Sequence, residues 1–284
     1  MRVAYFTAGT VGAGHLVRGL AVGRALARAG FTGSYRAFGP PVPYPVVARL
    51  DYAPVPLVEA ELRDPARAPA SAIATALRDY APDLLLVDLF WAPLRHVLPT
   101  LATDAWLLVR SCPRAWFTGP ADTRWDATQY RRIVAIEPFR HPVLRETIDP
   151  IVICNPDELR SPSALRERLG VAPDRRLVVV AHAGLAGEVM ELSGDADDET
   201  VVCDLFAEDA LFPLAEWLAG ADVVHCAAGY NAFWEAQWLG WAARTRFTPL
   251  RRTIDDQAWR ATTCRGWTVR ANGADTLARQ IVAG

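Results

Sequence analysis

Short apolar runs alternate with longer segments of helical period along the whole chain. In the first half the runs are Val3–Phe6, Gly33–Phe38, Leu84–Asp88, Ala105–Arg110 and Ile151–Cys154, each of strand length. Residues 16–29 follow the first run with Leu16, Leu20, Ala21, Val22, Leu26 and Ala27 supplying an apolar face, which predicts a helix. A second helix is predicted over 69–80. The stretch Pro40-Pro41-Val42-Pro43-Tyr44-Pro45 reads as a surface loop, because proline lacks the N–H and fixes φ.

The alternation starts again behind Pro156-Asp157-Glu158-Leu159-Arg160-Ser161-Pro162, which reads as an interdomain connection. A short helix over 163–169 precedes the strand Leu177–Ala181. The acidic stretch Ser193–Thr200 reads as a solvated loop before the strand Val201–Cys203. A helix over 211–219, the strand Val223–Cys226, a helix from about Asn231 to Leu239 and a strand Arg244–Phe247 come next. Helices over 255–264 and 275–283 close the chain. This pattern predicts an α/β protein with two mainly parallel sheets, divided into domains 1–155 and 156–284.

The 284 residues suffice for one large core or two modest ones. A hydrophobic share of 51% with 22% charged residues excludes a disordered chain. The net charge of −2, with the pairs Arg131-Arg132, Arg175-Arg176 and Arg251-Arg252 scattered, excludes nucleic acid as a partner. Gly9, Gly12 and Gly14 interrupt the first apolar segment, so no signal peptide is expected. No run approaches the ~20 apolar residues of a membrane span, and a cytoplasmic location is expected. Cys112, Cys154, Cys203, Cys226 and Cys264 form no CxxC pair and read as free thiols rather than disulfides or zinc ligands. The ten tryptophans read as core or cleft lining.

The chemistry concentrates in two segments. Gly12-Ala13-Gly14-His15-Leu16-Val17-Arg18 lies between the first strand and its helix. Glycines there let backbone N–H groups approach a ligand, and a helix N-terminus favours an anion. His15 adds a group able to take or give a proton. Arg18, three residues on, could hold a phosphate or carboxylate or form a salt bridge. Without a full GxGxxG and a ribose-binding acid, NAD is disfavoured. Asp88 ends a buried strand at the carboxyl edge of a sheet, where a ligand contact and a structural cap are both open readings.

The second segment, Gly229-Tyr230-Asn231-Ala232-Phe233-Trp234-Glu235, follows a strand and opens a helix. Asn231 could cap that helix or touch a phosphate. Glu235, one turn inside, could accept two hydroxyls of a ribose. Asp256-Gln257 pairs an acceptor with an amide donor, suited to a polyol, although Asp-Asp is also a normal helix start. His182 and His225 each end a strand; one of them could contact a phosphate, and no metal-ligand spacing emerges.

These residues, with Ala221-Asp222 and Leu239-Gly240, resemble the GT-B superfamily of nucleotide-sugar enzymes. The likeness is closest to family 28-type glycosyltransferases, such as the enzyme that adds N-acetylglucosamine to lipid I. It covers most of the chain in layout and is sharpest over 1–30 and 219–260. The resemblance implies two Rossmann-like domains facing a cleft, with acceptor on the first and nucleotide on the second. It makes His15 the base, with Gly12 and Gly14 facing the diphosphate. Glu235 becomes the ribose ligand and Asp256 and Gln257 the donor-sugar contacts. His182 and Gly184 would lie at the first strand and loop of the nucleotide domain, whose backbone N–H groups around 184–187, with those at 229–231, would meet the diphosphate.

It further implies a UDP- or dTDP-sugar donor, no cofactor and no metal. The acceptor would be a small molecule, a glycan or a lipid-linked compound; a homo-oligomer and a partner subunit both stay open. Ala227 replaces a histidine frequent in small-molecule members, and Gly240-Trp241-Ala242 replaces a Gly-x-Pro. Only 17 positions separate Gly184 from Val201, so a shortened second domain is expected. That spacing keeps two alternatives in view: a hydrolase like the compact UDP-sugar hydrolase of pseudaminic acid synthesis, and a non-catalytic binding subunit.

Overall fold

The computed structural model describes residues 1–10, 12–117, 125–182, 184, 187–193, 199–204, 207 and 210–284. Strand β1 (Arg2–Phe6) is buried from Val3 to Phe6, so it can only be the interior strand of a sheet covered on both faces. β2 (Ser34–Gly39) and β3 (Tyr52–Pro54) extend the sheet on one side. β4 (Leu84–Asp88), β5 (Asp104–Val109), β6 (Arg132–Ala135) and β7 (Glu146–Thr147) extend it on the other. The order is β3-β2-β1-β4-β5-β6-β7, all parallel, with Tyr5 beside both Ala37 and Leu86. The order reverses between β1 and β4. Their carboxyl ends therefore open a crevice at the point where α/β sheets bind ligands.

Helices α1 (Gly14–Arg28), α2 (Glu59–Leu62) and α3 (Ala72–Tyr80) connect this sheet, and α4 (Pro162–Leu169) leads into the second. The second sheet contains β8 (Leu177–His182), β9 (Glu199–Asp204), β10 (Val223–Ala227) and β11 (Thr245–Thr248) in the parallel order β11-β10-β8-β9. Helices α5 (Glu188–Ser193), α6 (Tyr230–Trp238) and α7 (Gln257–Thr263) accompany it. The last helix, α8 (Gly273–Ala283), does not stay with this second sheet. Its Ala274, Leu277, Ala278 and Ile281 share the core of Leu16, Leu20 and Leu26 on α1, so 273–283 packs back against the first domain. Gly273 permits that return: a Cβ there would stand 1.9 Å from the Asp149 carbonyl oxygen.

Three expected elements change. Ile151–Cys154 is buried but forms no strand, because side chains take the place of a ladder: Tyr230 Oη and Asn272 Oδ1 accept from Ile151 N and Val152 N at 2.8 and 3.4 Å. Residues 211–219 form no α-helix; behind Pro213 the chain makes short 3₁₀ turns at Leu214–Glu216 and Leu218–Gly220. The solvated loop expected at Ser193–Thr200 shrinks, since Ser193 ends α5 and Glu199 and Thr200 belong to β9; its positions 194–198 lie outside the described residues. β8 and β9 are thus joined through a helix of six residues. Among the described residues no helix is long and apolar enough to cross a membrane.

Candidate functional site

The carboxyl edges of the two sheets enclose a cavity of about 660 Å³. The first domain contributes the β1–α1 loop and the start of α1. The second contributes the end of β8, the start of α6 and the segment before α7.

His15 occupies the first turn of α1, across the β1/β4 switch from Asp88 at the end of β4. Its Nδ1 lies 2.8 Å from Asp88 Oδ2. Arg18 approaches the same carboxylate with Nε on Oδ2 and Nη2 on Oδ1, both at 3.1 Å, and Tyr5 Oη donates to Oδ2. Arg18 Nη2 is also 2.6 Å from His15 Nδ1. The Asp88 carboxylate favours the tautomer with Nδ1–H directed at it, which leaves Nε2 its lone pair for the cavity that His15 lines. Burial is the largest influence on His15 and holds it well below its ordinary value, at about 4. Burial alone would raise Asp88, but Arg18 and His15 beside it hold the carboxyl well below the usual carboxylate range. The result is a neutral imidazole backed by a permanent carboxylate. Gly9 makes room for the ring, as a Cβ there would lie 2.8 Å from His15 Cδ2. Arg18, 2% exposed, pairs with Asp88 and also lines the cavity.

The second segment divides between site and scaffold. Gly229 caps α6 and lines the cavity. Tyr230 lines it with its ring, yet its hydroxyl donates to Ile136 O (2.7 Å) and accepts from Ile151 N (2.8 Å), joining the domains. Asn231 Nδ2 donates to Gly14 O at 3.0 Å, while its Oδ1 is buried with no partner among the described residues. Glu235 faces the same cavity, and its carboxylate has no hydrogen bond or ion pair among the described residues. Burial pushes it up to about 7. A half-buried carboxylate without a partner gains from a ligand that donates to it.

Gln257 lines the cavity but already bonds Leu250 N and Asp255 Oδ2. Asp256 is not brought to the cavity: its Oδ1 accepts from Trp259 N at 2.8 Å and caps α7. Its neighbour Asp255 lines the cavity instead. Asp256→Ala is therefore expected to cost about 0.5–2 kcal/mol of stability and to leave ligand affinity unchanged. A thermal melt and a titration on one sample check this.

Gly12, with φ +73°, lines the cavity from the β1–α1 loop, and on the far wall Gly184 and His182 line it from the second domain. His182 is buried, its Nδ1 3.5 Å from Asp204 and its Nε2 4.0 Å from Glu188. Glu188 pairs with Arg252 at 2.5 Å and fills the space beside Gly184. Of the backbone N–H groups expected to face a diphosphate around 184–187, those of residues 185 and 186 lie outside the described residues. His225 does not reach the cavity; its Nδ1 is 3.3 Å from Ser193 O. Among the described residues no cluster of three or more His, Cys, Asp and Glu could hold a metal.

Beneath the cavity lies a network that the sequence does not disclose. Arg260 on α7 and Glu137 behind β6 are both fully buried, with Arg260 Nε 3.0 Å from Glu137 Oε2. Glu137 also accepts from Trp234 Nε1 (2.8 Å) and Ser111 N (2.6 Å). Asp255 takes Arg260 at 2.8 Å and Arg110, from the first domain, at 2.7 Å. Charges from both domains thus neutralise one another across their junction.

Neither a protein-family model nor a curated protein sequence matches the chain. Solved structures do. The glycosyltransferase SsfS6 of Streptomyces sp. SF2575 superposes with a TM-score of 0.57 at 12% identity, over 100% of this chain and 95% of that one. MurG of Acinetobacter baumannii gives 0.54 at 15%, over 99% and 90%. The glycosyltransferase VinC in complex with dTDP gives 0.54 at 15%, over 100% and 91%. These spans argue against a notably shortened second domain; the compact β8–β9 link reflects a short α5, not a missing layer. The fold is GT-B, two Rossmann-like domains about a central cleft.

Proposed function

We propose that the protein is a glycosyltransferase that moves a sugar from a nucleoside diphosphate to an acceptor hydroxyl or amine. The observation that carries this reading is the neutral His15, backed by Asp88, facing an unpaired Glu235 across one cavity. The acceptor lies on the first domain and the nucleotide across the second. His15 Nε2 takes the acceptor proton as the acceptor atom bonds to the anomeric carbon. The bond from that carbon to the diphosphate oxygen breaks, and its electron pair leaves with the diphosphate. Asp88 steadies the resulting imidazolium, and N–H groups at the starts of α1 and α6 stabilise the departing anion. Ionised Glu235 accepts the two ribose hydroxyls. Similar structures bound to thymidine diphosphate support a dTDP- or UDP-type donor. The reaction needs no metal in this reading, and five free cysteines support a reducing, cytoplasmic setting.

Calorimetry with UDP, dTDP and GDP in EDTA is the first test: binding of one of them is expected, and binding of none would reject the reading. Glu235→Gln separates a ligand from a scaffold residue. Losing a charged acceptor is expected to cost about 1.5–3 kcal/mol of nucleotide affinity. The ligand-free variant should be more stable than the wild type above pH 7. Glu235 holds its proton more tightly folded than unfolded, so its contribution is present below the unfolded value and lost as pH rises through about 7. The variant lacks that loss. A fall in affinity with a fall in stability would mark Glu235 as scaffold. Rapid sugar release without acceptor would favour water as the nucleophile over an acceptor hydroxyl.

A further inference from the structure

Beside His15 the cavity wall is aromatic. The Phe90 ring lies 4.8 Å from the His15 ring, tilted by 52°, and Trp116 meets Phe90 edge-on at 5.7 Å. Both are half-buried and line the cavity. A strained turn aims Phe90 there. Leu89 has φ +66°, unusual for a residue with a branched side chain, and Phe90 N donates back to Asp88 O at 2.8 Å, as in a γ-turn. The indole N–H of Trp116 is already bound to Leu89 O at 3.1 Å, so this wall presents ring surface and no free donor. Behind it Trp91, Phe117 and Trp125 pack ring to ring.

The polar side chains on this side are few. Arg18 and Arg110 line the cavity but are bound to Asp88 and Asp255. Among the described residues of the first domain only His15 and Thr10 remain, a sparse set for the hydroxyls of a sugar or the phosphates of a lipid-linked carrier. We propose that Phe90 and Trp116 form the acceptor subsite and that the acceptor is a phenol, a planar aromatic ring bearing the hydroxyl that receives the sugar. This rests on the transferase reading above. The phenolic proton passes to His15 Nε2, the phenolic oxygen bonds to the anomeric carbon, and the diphosphate leaves with the electron pair of the broken bond. A phenol, ionising near ~10 as in tyrosine, gives up its proton far more readily than water at ~15.7. Such an acceptor matches a base weakened by burial.

The test is calorimetric binding to the full chain of 2-naphthol and of its saturated, non-planar counterpart 2-decalol, with methyl glucoside as the sugar control. The aromatic compound is expected to bind about tenfold or more tightly than either, through contact with two rings. Trp116→Leu and Phe90→Leu should each weaken 2-naphthol by about two- to tenfold and leave UDP or dTDP affinity unchanged. Should Trp116→Leu fail to fold, Phe90→Leu, which keeps an apolar side chain of similar bulk, gives the same comparison. Equal binding of 2-naphthol and 2-decalol, preference for methyl glucoside, or wild-type 2-naphthol affinity in the folded variants would each overturn the proposal. Nucleotide binding on the same samples reports the donor reading separately, so either can fail alone.

Discussion

Replacing His15 by alanine is expected to lower turnover by ~10²–10⁴-fold, the usual contribution of a positioned general base, with little change in nucleotide affinity. The reason is spatial. The ring stands at the β1/β4 switch with Nδ1 held by Asp88, whereas the nucleotide is assigned to the second domain. The acid limb of kcat/KM should fall at about pH 4 rather than near the ordinary histidine value, since burial keeps the ring neutral. The same shift has a stability counterpart. The unfolded chain takes the proton at ~6.5 and the folded one only at about 4, so folding is progressively disfavoured as pH drops between those values. His15→Ala should flatten that slope as well as abolish the limb. Near wild-type turnover at saturating donor and acceptor would remove His15 from the chemistry.

Local signals carry the parts of this protein that its sequence discloses. β1, β4 and β8 are uninterrupted apolar runs, and a sheet covered on both faces asks for nothing else. The Gly12–Arg18 segment is legible because strand, turn and helix start are consecutive. β6 is hidden by its own composition: four apolar residues, Ile133 to Ile136, stand between Arg131-Arg132 and Glu137. Ile151–Cys154 misleads in the opposite direction, being as apolar as a strand yet bonded by distant side chains. Among the site residues, Asp255 and Asp256 are indistinguishable as letters. Helix geometry gives one of them to Trp259 N and turns the other to Arg110 and Arg260. Tyr230 sits in the expected segment, but its hydroxyl bridges Ile136 and Ile151, a role fixed only when the two domains meet. Asp88 could be read as cap or ligand until β1 brought His15 and Arg18 against it.

The least legible feature should have the largest effect on stability. Arg260 and Glu137 stand 123 residues apart and are both fully buried, so Arg260→Met would leave Glu137 without its counter-charge in a site water does not reach. Removing one partner of such a pair typically costs ~3–5 kcal/mol. Asp255 would keep Arg110, and Glu137 would keep the donors Trp234 Nε1 and Ser111 N. Those groups can stabilise the carboxylate but carry no full positive charge. Adding Glu137→Gln to Arg260→Met should recover part of the loss, because the orphaned charge disappears while an amide oxygen still accepts from the same donors. Because the network joins the two domains, the single variant is also expected to divide denaturant unfolding into separate transitions, so midpoints by tryptophan fluorescence and far-UV circular dichroism should diverge. A cost below about 1 kcal/mol, within the range of an exposed ion pair, would show that solvent enters the junction. A double variant no better than Arg260→Met would show that packing of the Arg260 side chain, not its charge, holds the domains together.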